Sequence, residues 1–333
     1  MQSVHVFMTM DCEPTTATSH PDATGPRDWA HGERAVRGWW RLAQEHGYPV
    51  TFFIHPETAI GQAKLWRELE AEGACLGLHM HPWKYSMWKH GGKRYLAHYG
   101  GLSAEEQHAL LTEAGALWAD AIGHQPLWFR PGTYSANDAI FAVLSLLGYA
   151  GGSCSAPGRV LPEMQAIWTG AELDPHRANA VFRQIAGELD FVNVPQSMDM
   201  SRLLEGRIGR RMYADLRPDV DWPGQYGAAW STIATNILAQ TMARNPAVGT
   251  IGIQTHNHYE YLDPDSPQVH RLRAILGEVK KAGDAAGVTP VGSTLADIAK
   301  AVAETPRVVA PFVVEGAIFE SQGQVPTLGS ARA

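Results

Sequence analysis

Asp11 and Glu13, His79 and His81, and His256 and His258 form three pairs of chemically active side chains, each spaced two residues apart and each following an apolar, strand-like run. In an extended strand residues i and i+2 point to the same face, so each pair aims at one point. Carboxylates and imidazoles projected from several strand ends into one pocket can bind a divalent ion of the zinc class. They also supply what metal-assisted hydrolysis requires. The spacing predicts a metallohydrolase.

Of the two carboxylates in Thr9-Met10-Asp11-Cys12-Glu13, one can bind metal while its neighbour keeps its basicity and acts as a base. Taken alone, the stretch reads equally well as acidic residues capping a loop. Gly77-Leu78-His79-Met80-His81-Pro82-Trp83 is sharper, because His-x-His on a strand sets two nitrogen ligands on one side. Thr255-His256-Asn257-His258 repeats that spacing at a late strand, where an imidazole titrating near neutral pH suits a general acid. Arg130, before Pro131-Gly132, can hold a carboxylate by two hydrogen bonds and keep a base ionised, or is a surface arginine on a turn. Trp83, Tyr85, Trp88, Tyr95 and Tyr99 form either a sugar-stacking cleft or a local core, and Trp29 and Trp222 pose the same choice.

The elements that must position these groups alternate. Strands are predicted at Val4 to Met10, Pro49 to Ile54, Ala74 to Leu78, Leu127 to Phe129, around Tyr149, at Phe191 to Val194, Thr250 to Thr255 and Val288 to Val291. Helices are predicted at Trp29 to His46, Ala63 to Glu72, Ala104 to Ile122, Asn137 to Leu147, Ala228 to Arg244 and Ser266 to Ala286. Such alternation implies a parallel sheet under its helices, with chemistry at the carboxyl ends of the strands. From Gly158 to Tyr226 the pattern weakens and reads as barrel elements with long loops. One domain over residues 1–305 is expected, followed by a last strand or cap within Arg307 to Phe319 and a polar, disordered tail to Ala333.

With 333 residues, 18% charged and a formal net charge of -7, the chain has no general electrostatic affinity for nucleic acid or anionic membranes. A small-molecule or oligosaccharide substrate is expected; nothing in the sequence sets an oligomeric state. Three cysteines without CxxC spacing give no disulfide framework. The Met1 start without a leader pattern, and the lack of any run of ~18 apolar residues, predict a cytoplasmic protein with no membrane span.

In order and approximate spacing these pieces resemble the polysaccharide deacetylases of the NodB-homology group, carbohydrate esterase family four, from about Val4 to Val302. Thr9 to Glu13 is similar to the family's Thr-x-Asp-Asp or Asp-x-Asp motif, and Val50-Thr51-Phe52-Phe53-Ile54 to its Ala-Thr-Phe-Phe strand. Gly73 to His79 resembles its Gly-x-x-x-Gly-x-His approach to the metal. Arg130-Pro131-Gly132, Asp221-Trp222 and Ile251 to His256 resemble its arginine, Asp-Trp and last-strand motifs. Two positions depart from the pattern. Trp83 stands where the family's second metal histidine lies, four residues after His79, and His81 takes that role here; Cys12 replaces the second aspartate, leaving Glu13 one position later.

The resemblance implies a distorted (β/α)7 barrel, α/β in class, with long loops at the strand ends. It implies a divalent metal, with zinc first and cobalt, nickel or manganese as alternatives. It further implies Glu13, His79 and His81 as ligands, Asp11 as base, Arg130 orienting Asp11, His256 as acid and Asp221 polarising His256. Trp83, Tyr134, Trp222 and His258 are the candidate substrate contacts. The implied activity is hydrolytic removal of an acyl group, acetyl above all, from an acylated amino sugar or related carbohydrate. The alternatives are an amidase of the same fold acting on a non-sugar amide and a non-catalytic carbohydrate-binding derivative. Cys12, between two carboxylates, is expected to remain a thiol and not to act as a nucleophile.

Overall fold

The computed structural model describes residues 2–17, 23–205 and 211–306. Its first half runs β1 (Ser3–Cys12), α1 (Trp29–Gln44), β2 (Val50–Ile54), α2 (Pro56–Gly61), α3 (Ala63–Ala71), β3 (Cys75–Met80), α4 (Pro82–His90), α5 (Ala104–Ile122), β4 (Trp128–Pro131), α6 (Ile140–Leu146) and β5 (Gly151–Gly152). There follow β6 (Val160–Leu161), β7 (Ala166–Ile167), β8 (His176–Arg177), β9 (Val192–Asn193), β10 (Asp199–Glu205), β11 (Arg211–Ala214), α7 (Trp222–Tyr226), α8 (Trp230–Arg244), β12 (Thr250–His256), α9 (Pro267–Ala286), β13 (Thr289–Gly292) and α10 (Leu295–Glu304).

The main sheet has the order β12-β1-β2-β3-β4-β5-β9-β8, with β13 paired to the start of β1. All its pairings are parallel except β8 with β9. The sheet curls into a half-barrel, the distorted barrel expected. Side chains following β9 meet its β12 edge: Gly252 N donates to Ser197 Oγ at 2.8 Å, and Gln196 Nε2 donates to the Gly252 carbonyl at 3.3 Å. No helix among the described residues is long and apolar enough to cross a membrane.

Strand alternation sorts β1 between two environments. Val4, Val6, Met8, Met10 and Cys12 enter the large core beneath the helices. Phe7 faces the other way, into a smaller core with Phe53, Val192, Val194 and the apolar face of α10. Thr9 and Asp11 share the Phe7 face, so the reactive carboxylate of β1 points into the curl. Gly77 on β3 is required by this packing, because a Cβ there would lie 2.9 Å from the Phe53 ring.

Helix α5 begins on a Ser103/Glu106 capping box and ends on Gly123 in the left-handed region, which explains why its bounds were readable from sequence. Two features differ from expectation, and one choice left open is decided. Residues 158–226 contain two antiparallel hairpins, β6-β7 and β10-β11, which short, weakly apolar strands conceal from a periodicity argument. The aromatic stretch after His81 opens with α4, where Pro82 supplies a favourable first helical residue. Tyr85, Tyr95 and Tyr99 are buried in the large core and do not form a sugar-stacking cleft. The expected strand within Arg307 to Phe319 and the tail lie outside the described residues.

Candidate metal and catalytic site

Two pairs of adjacent strands, β12 with β1 and β3 with β4, separated by β2, deliver the reactive groups at their carboxyl ends. Register pairs Asp11 with His256 across β1 and β12, and His79 with Arg130 across β3 and β4. Glu13 lies just past β1, where Asn257 fixes it from both sides. Glu13 N donates to Asn257 Oδ1 at 2.9 Å, and Asn257 Nδ2 donates to the Glu13 carbonyl at 3.0 Å.

Glu13, His79 and His81 converge, all three buried, as a group able to hold a metal ion. Glu13 Oε1 lies 3.2 Å from His79 Nε2 and 3.0 Å from His81 Nε2. His79 Nδ1 lies 3.0 Å from the Arg130 carbonyl, which can only accept, so the proton sits on Nδ1. In the neutral ring Nε2 then presents a lone pair toward a carboxylate oxygen, and a cation between them satisfies both. Outer-shell anchoring of this kind fixes the tautomer of a metal-binding histidine.

His81 is held differently. Its Nδ1 has no hydrogen-bond partner among the described residues, and its ring lies against Gly132, where a Cβ would come within 2.2 Å of Nδ1. Burial pushes the His81 pKa down to about 4, so the ring is neutral, as a ligand must be. Two nitrogens and one carboxylate oxygen of this geometry fit a zinc-class ion.

Lys84, absent from the sequence argument, is buried in the first turn of α4 and places Nζ 2.8 Å from Glu13 Oε2 and 2.8 Å from the Thr24 carbonyl. The two Glu13 oxygens are thereby divided, Oε1 to the histidines and Oε2 to the ammonium. Burial works to raise the Glu13 pKa; His81, Lys84 and His79 overcome it and hold the carboxyl well below the usual carboxylate range.

Asp11 accepts a hydrogen bond from Arg130 Nη1 at 2.8 Å. The same nitrogen reaches Thr9 Oγ1 at 2.9 Å, and Arg130 Nε donates to the Ser153 carbonyl at 3.3 Å. Arg130 is fully buried, with its guanidinium 4.2 Å above the Phe53 ring, so the surface-turn reading of this arginine is excluded. Burial would raise the Asp11 pKa, but Arg130, His79 and His256 together lower it. Cys12 is pushed well up, first by burial and then by the charges of Asp11 and Glu13, so it stays a thiol.

The carboxylate at His256 is Asp219, not Asp221. Asp219 Oδ2 lies 2.6 Å from His256 Nδ1, and Thr255 and Tyr261 also reach its other oxygen. Register explains the correction: Leu216 bridges in parallel to Ile253, so three residues further on Asp219 stands beside His256. Asp221 has passed beyond it. Its side chain caps α7, accepting from Gly224 N at 3.1 Å, and pairs with Arg271 at 3.2 Å. A second acid two residues before the Asp-Trp pair was the signal in the sequence that could have drawn attention to Asp219.

Burial acts to lower the His256 pKa, but the hydrogen bond and charge of Asp219, with Asp11 and Glu13, raise it overall. His258 stacks near it, ring centroids 5.3 Å apart, and is pushed down to about 4 by burial and by His256. Of this pair His256 is the one suited to carry a proton near neutral pH. Trp83 is half-buried and packs edge-on against His81. Tyr134 is buried and bonds Gln254, while Trp222 is buried with Nε1 donating to Asp215 Oδ1 at 3.3 Å.

Residues 31–152 match a family model described as polysaccharide deacetylase, a span that holds His79, His81 and Arg130 but not Asp11, Glu13 or His256. Among solved structures, a provisionally named polysaccharide deacetylase from Mycobacterium smegmatis is 18% identical, over 92% of this chain and 94% of its own, with a TM-score of 0.57. PuuE allantoinase is 12% identical over 90% of each chain, with a TM-score of 0.49. A family 4 carbohydrate esterase from Streptomyces lividans is 14% identical over 87% and 93%, with a TM-score of 0.37. Similarity to the mycobacterial protein shows a shared fold. Comparison with curated proteins gives no match.

Proposed function

We propose that the chain is a metal-dependent hydrolase, a reading supported by the match of residues 31–152 to the polysaccharide deacetylase model. Its proposed reaction removes an acyl group, acetyl first, from an acylated amine. An amino sugar or related carbohydrate is the substrate class to which the family name points. The observation that carries this reading is the buried meeting of Glu13, His79 and His81, flanked by one carboxylate held by arginine and one histidine held by aspartate.

Glu13, His79 and His81 would hold the ion, and zinc suits their two nitrogens and one oxygen. When bound, such an ion polarises the acyl carbonyl and makes water more acidic. Asp11, kept ionised by Arg130, takes the proton of the attacking water. His256, its Nδ1 proton held on Asp219, delivers a proton from Nε2 to the leaving nitrogen or oxygen. Thr255 and Tyr261 fix the orientation of Asp219 and so of the acid.

Acetate release from tri-N-acetylchitotriose and from simple N-acetyl amines tests the reading. Removal of metal with a chelator is expected to cut release at least roughly a hundredfold, with recovery on adding one equivalent of zinc. Full release from the stripped protein, or none from any acylated amine after zinc is restored, would refute it. A second reading, hydrolysis of a non-sugar amide, is favoured by the apolar cavity lined by Trp222.

A further inference from the structure

A cavity of about 320 Å³ opens between the β6-β7 hairpin, β11 and the segment leading to α7. That volume is in the range of small-molecule sites. Its wall is mainly apolar, with Met164, Met198, Met212 and Trp222 among the lining side chains. Methionines adapt to irregular apolar shapes and suit a ring or short chain better than a hydroxylated sugar.

Its charged lining groups are three arginines against one aspartate. Arg217 is committed, with Nε 2.7 Å from Asp215 Oδ2. Arg159 is not. Its guanidinium lies 4.9 Å over the Tyr134 ring, Nη1 donates to the Thr133 carbonyl at 3.0 Å, and no carboxylate is in ion-pair distance among the described residues. A guanidinium has five N–H donors, so Arg159 retains capacity for a bidentate anion.

The cavity adjoins the reaction centre. Thr133, which lines it, follows Gly132, on which the His81 ring packs. Asp11 is close enough for its charge to act on Arg159, whose pKa is pushed down to about 10, first by burial and then by Arg217. Thr133 and Tyr134 both have positive φ, 56° and 57°, a costly backbone for non-glycine residues that sets the turn between site and cavity.

We infer that this cavity is the substrate's specificity subsite and that it takes an apolar group bearing a carboxylate, with Arg159 binding the carboxylate. The inference rests on the proposed hydrolysis in its second, non-sugar reading and narrows that substrate to a small N-acylated acid with an apolar side chain.

Two measurements keep the subsite and the reaction separable. In the first, 3-phenylpropionate and 3-phenylpropanol are titrated calorimetrically into the metal-loaded protein; neither has an acyl amine. The acid is expected to bind about ten- to a hundredfold tighter, the range for a charge-assisted contact, and Arg159→Met to abolish that ratio while Arg159→Lys keeps part of it. In the second, kcat/KM for N-acetyl-L-phenylalanine is compared with that for its carboxamide and for tri-N-acetylchitotriose. The acid is expected to lead, and its advantage over the carboxamide to vanish in Arg159→Met. A carboxylate preference that survives Arg159→Met, as it would if the anion sat on the metal, or a trisaccharide hydrolysed faster than the acid, overturns the subsite and leaves the hydrolase standing. Binding dependent on Arg159 without hydrolysis of any acetamide overturns the reaction and leaves the subsite.

Discussion

Replacing Asp11 by Asn is expected to leave one metal ion per chain and to lower turnover by about two to four orders of magnitude, the worth of a positioned general base. The asymmetry follows from placement. Asp11 faces Arg130 at 2.8 Å and lies outside the group formed by Glu13, His79 and His81. Asparagine keeps the shape but cannot take a proton. It also leaves Arg130, wholly buried, without its anion, a change worth roughly 3–5 kcal/mol of stability. The assay must therefore be run well below the variant's melting temperature, with metal content read in the same sample. Loss of the ion in a folded variant would make Asp11 a ligand and remove it as the base.

The pH dependence follows from the same pair. Asp11's folded pKa lies below its ordinary value of 3.8. Its contribution to stability is therefore fully present above that ordinary value and is lost as pH falls through the lowered one. Above the lowered value the base is ionised.

Asp219→Asn is expected to cost about 10²- to 10⁴-fold in kcat on amide substrates, because the carboxylate that fixes the His256 tautomer and stabilises its protonated form is gone. The sign of the accompanying pH shift is fixed. Asp219 raises the His256 pKa, so its removal moves the alkaline limb of the kcat profile to lower pH. Asp221→Asn provides the contrast. It weakens a partly exposed helix cap and ion pair, with a stability loss of roughly 1 kcal/mol and little change in kcat. Equal kinetic damage from both substitutions, or an unmoved alkaline limb in Asp219→Asn, would contradict the assignment of Asp219 to His256.

That pair also marks the boundary of what the sequence could reveal. His-x-His after an apolar strand, the acidic pair after β1 and the histidine ending β12 were legible because strand periodicity aims i and i+2 together. So was the alternation of strands and helices, since each helix carries its own apolar stripe and several carry caps. Asp219 was visible only as a second acid near Asp221, and its pairing with His256 was not legible. Its place depends on a single parallel bridge between Leu216 and Ile253, a long-range register with no local pattern.

Lys84 was missed for another reason. A lysine in the first turn of a helix reads as a solvated charge, and only the entry of α4 immediately after His81 turns it inward to Glu13. Tyr85 and Tyr99 were left open between a sugar cleft and a local core, and the fold decides for the core. Aromatic residues near a strand end suit a sugar, but here α4 and the following turn bury them under the large core.

The central claim is that Glu13, His79 and His81 form one metal site, and the direct measurement is zinc binding by competition with a chromophoric chelator, with metal content counted per chain. The wild-type chain is predicted to hold one equivalent. Folded His79→Ala, lacking the imidazole oriented by the Arg130 carbonyl, is predicted to lose most of it under the same conditions. One equivalent bound with unchanged affinity in His79→Ala would place the metal elsewhere and contradict the account.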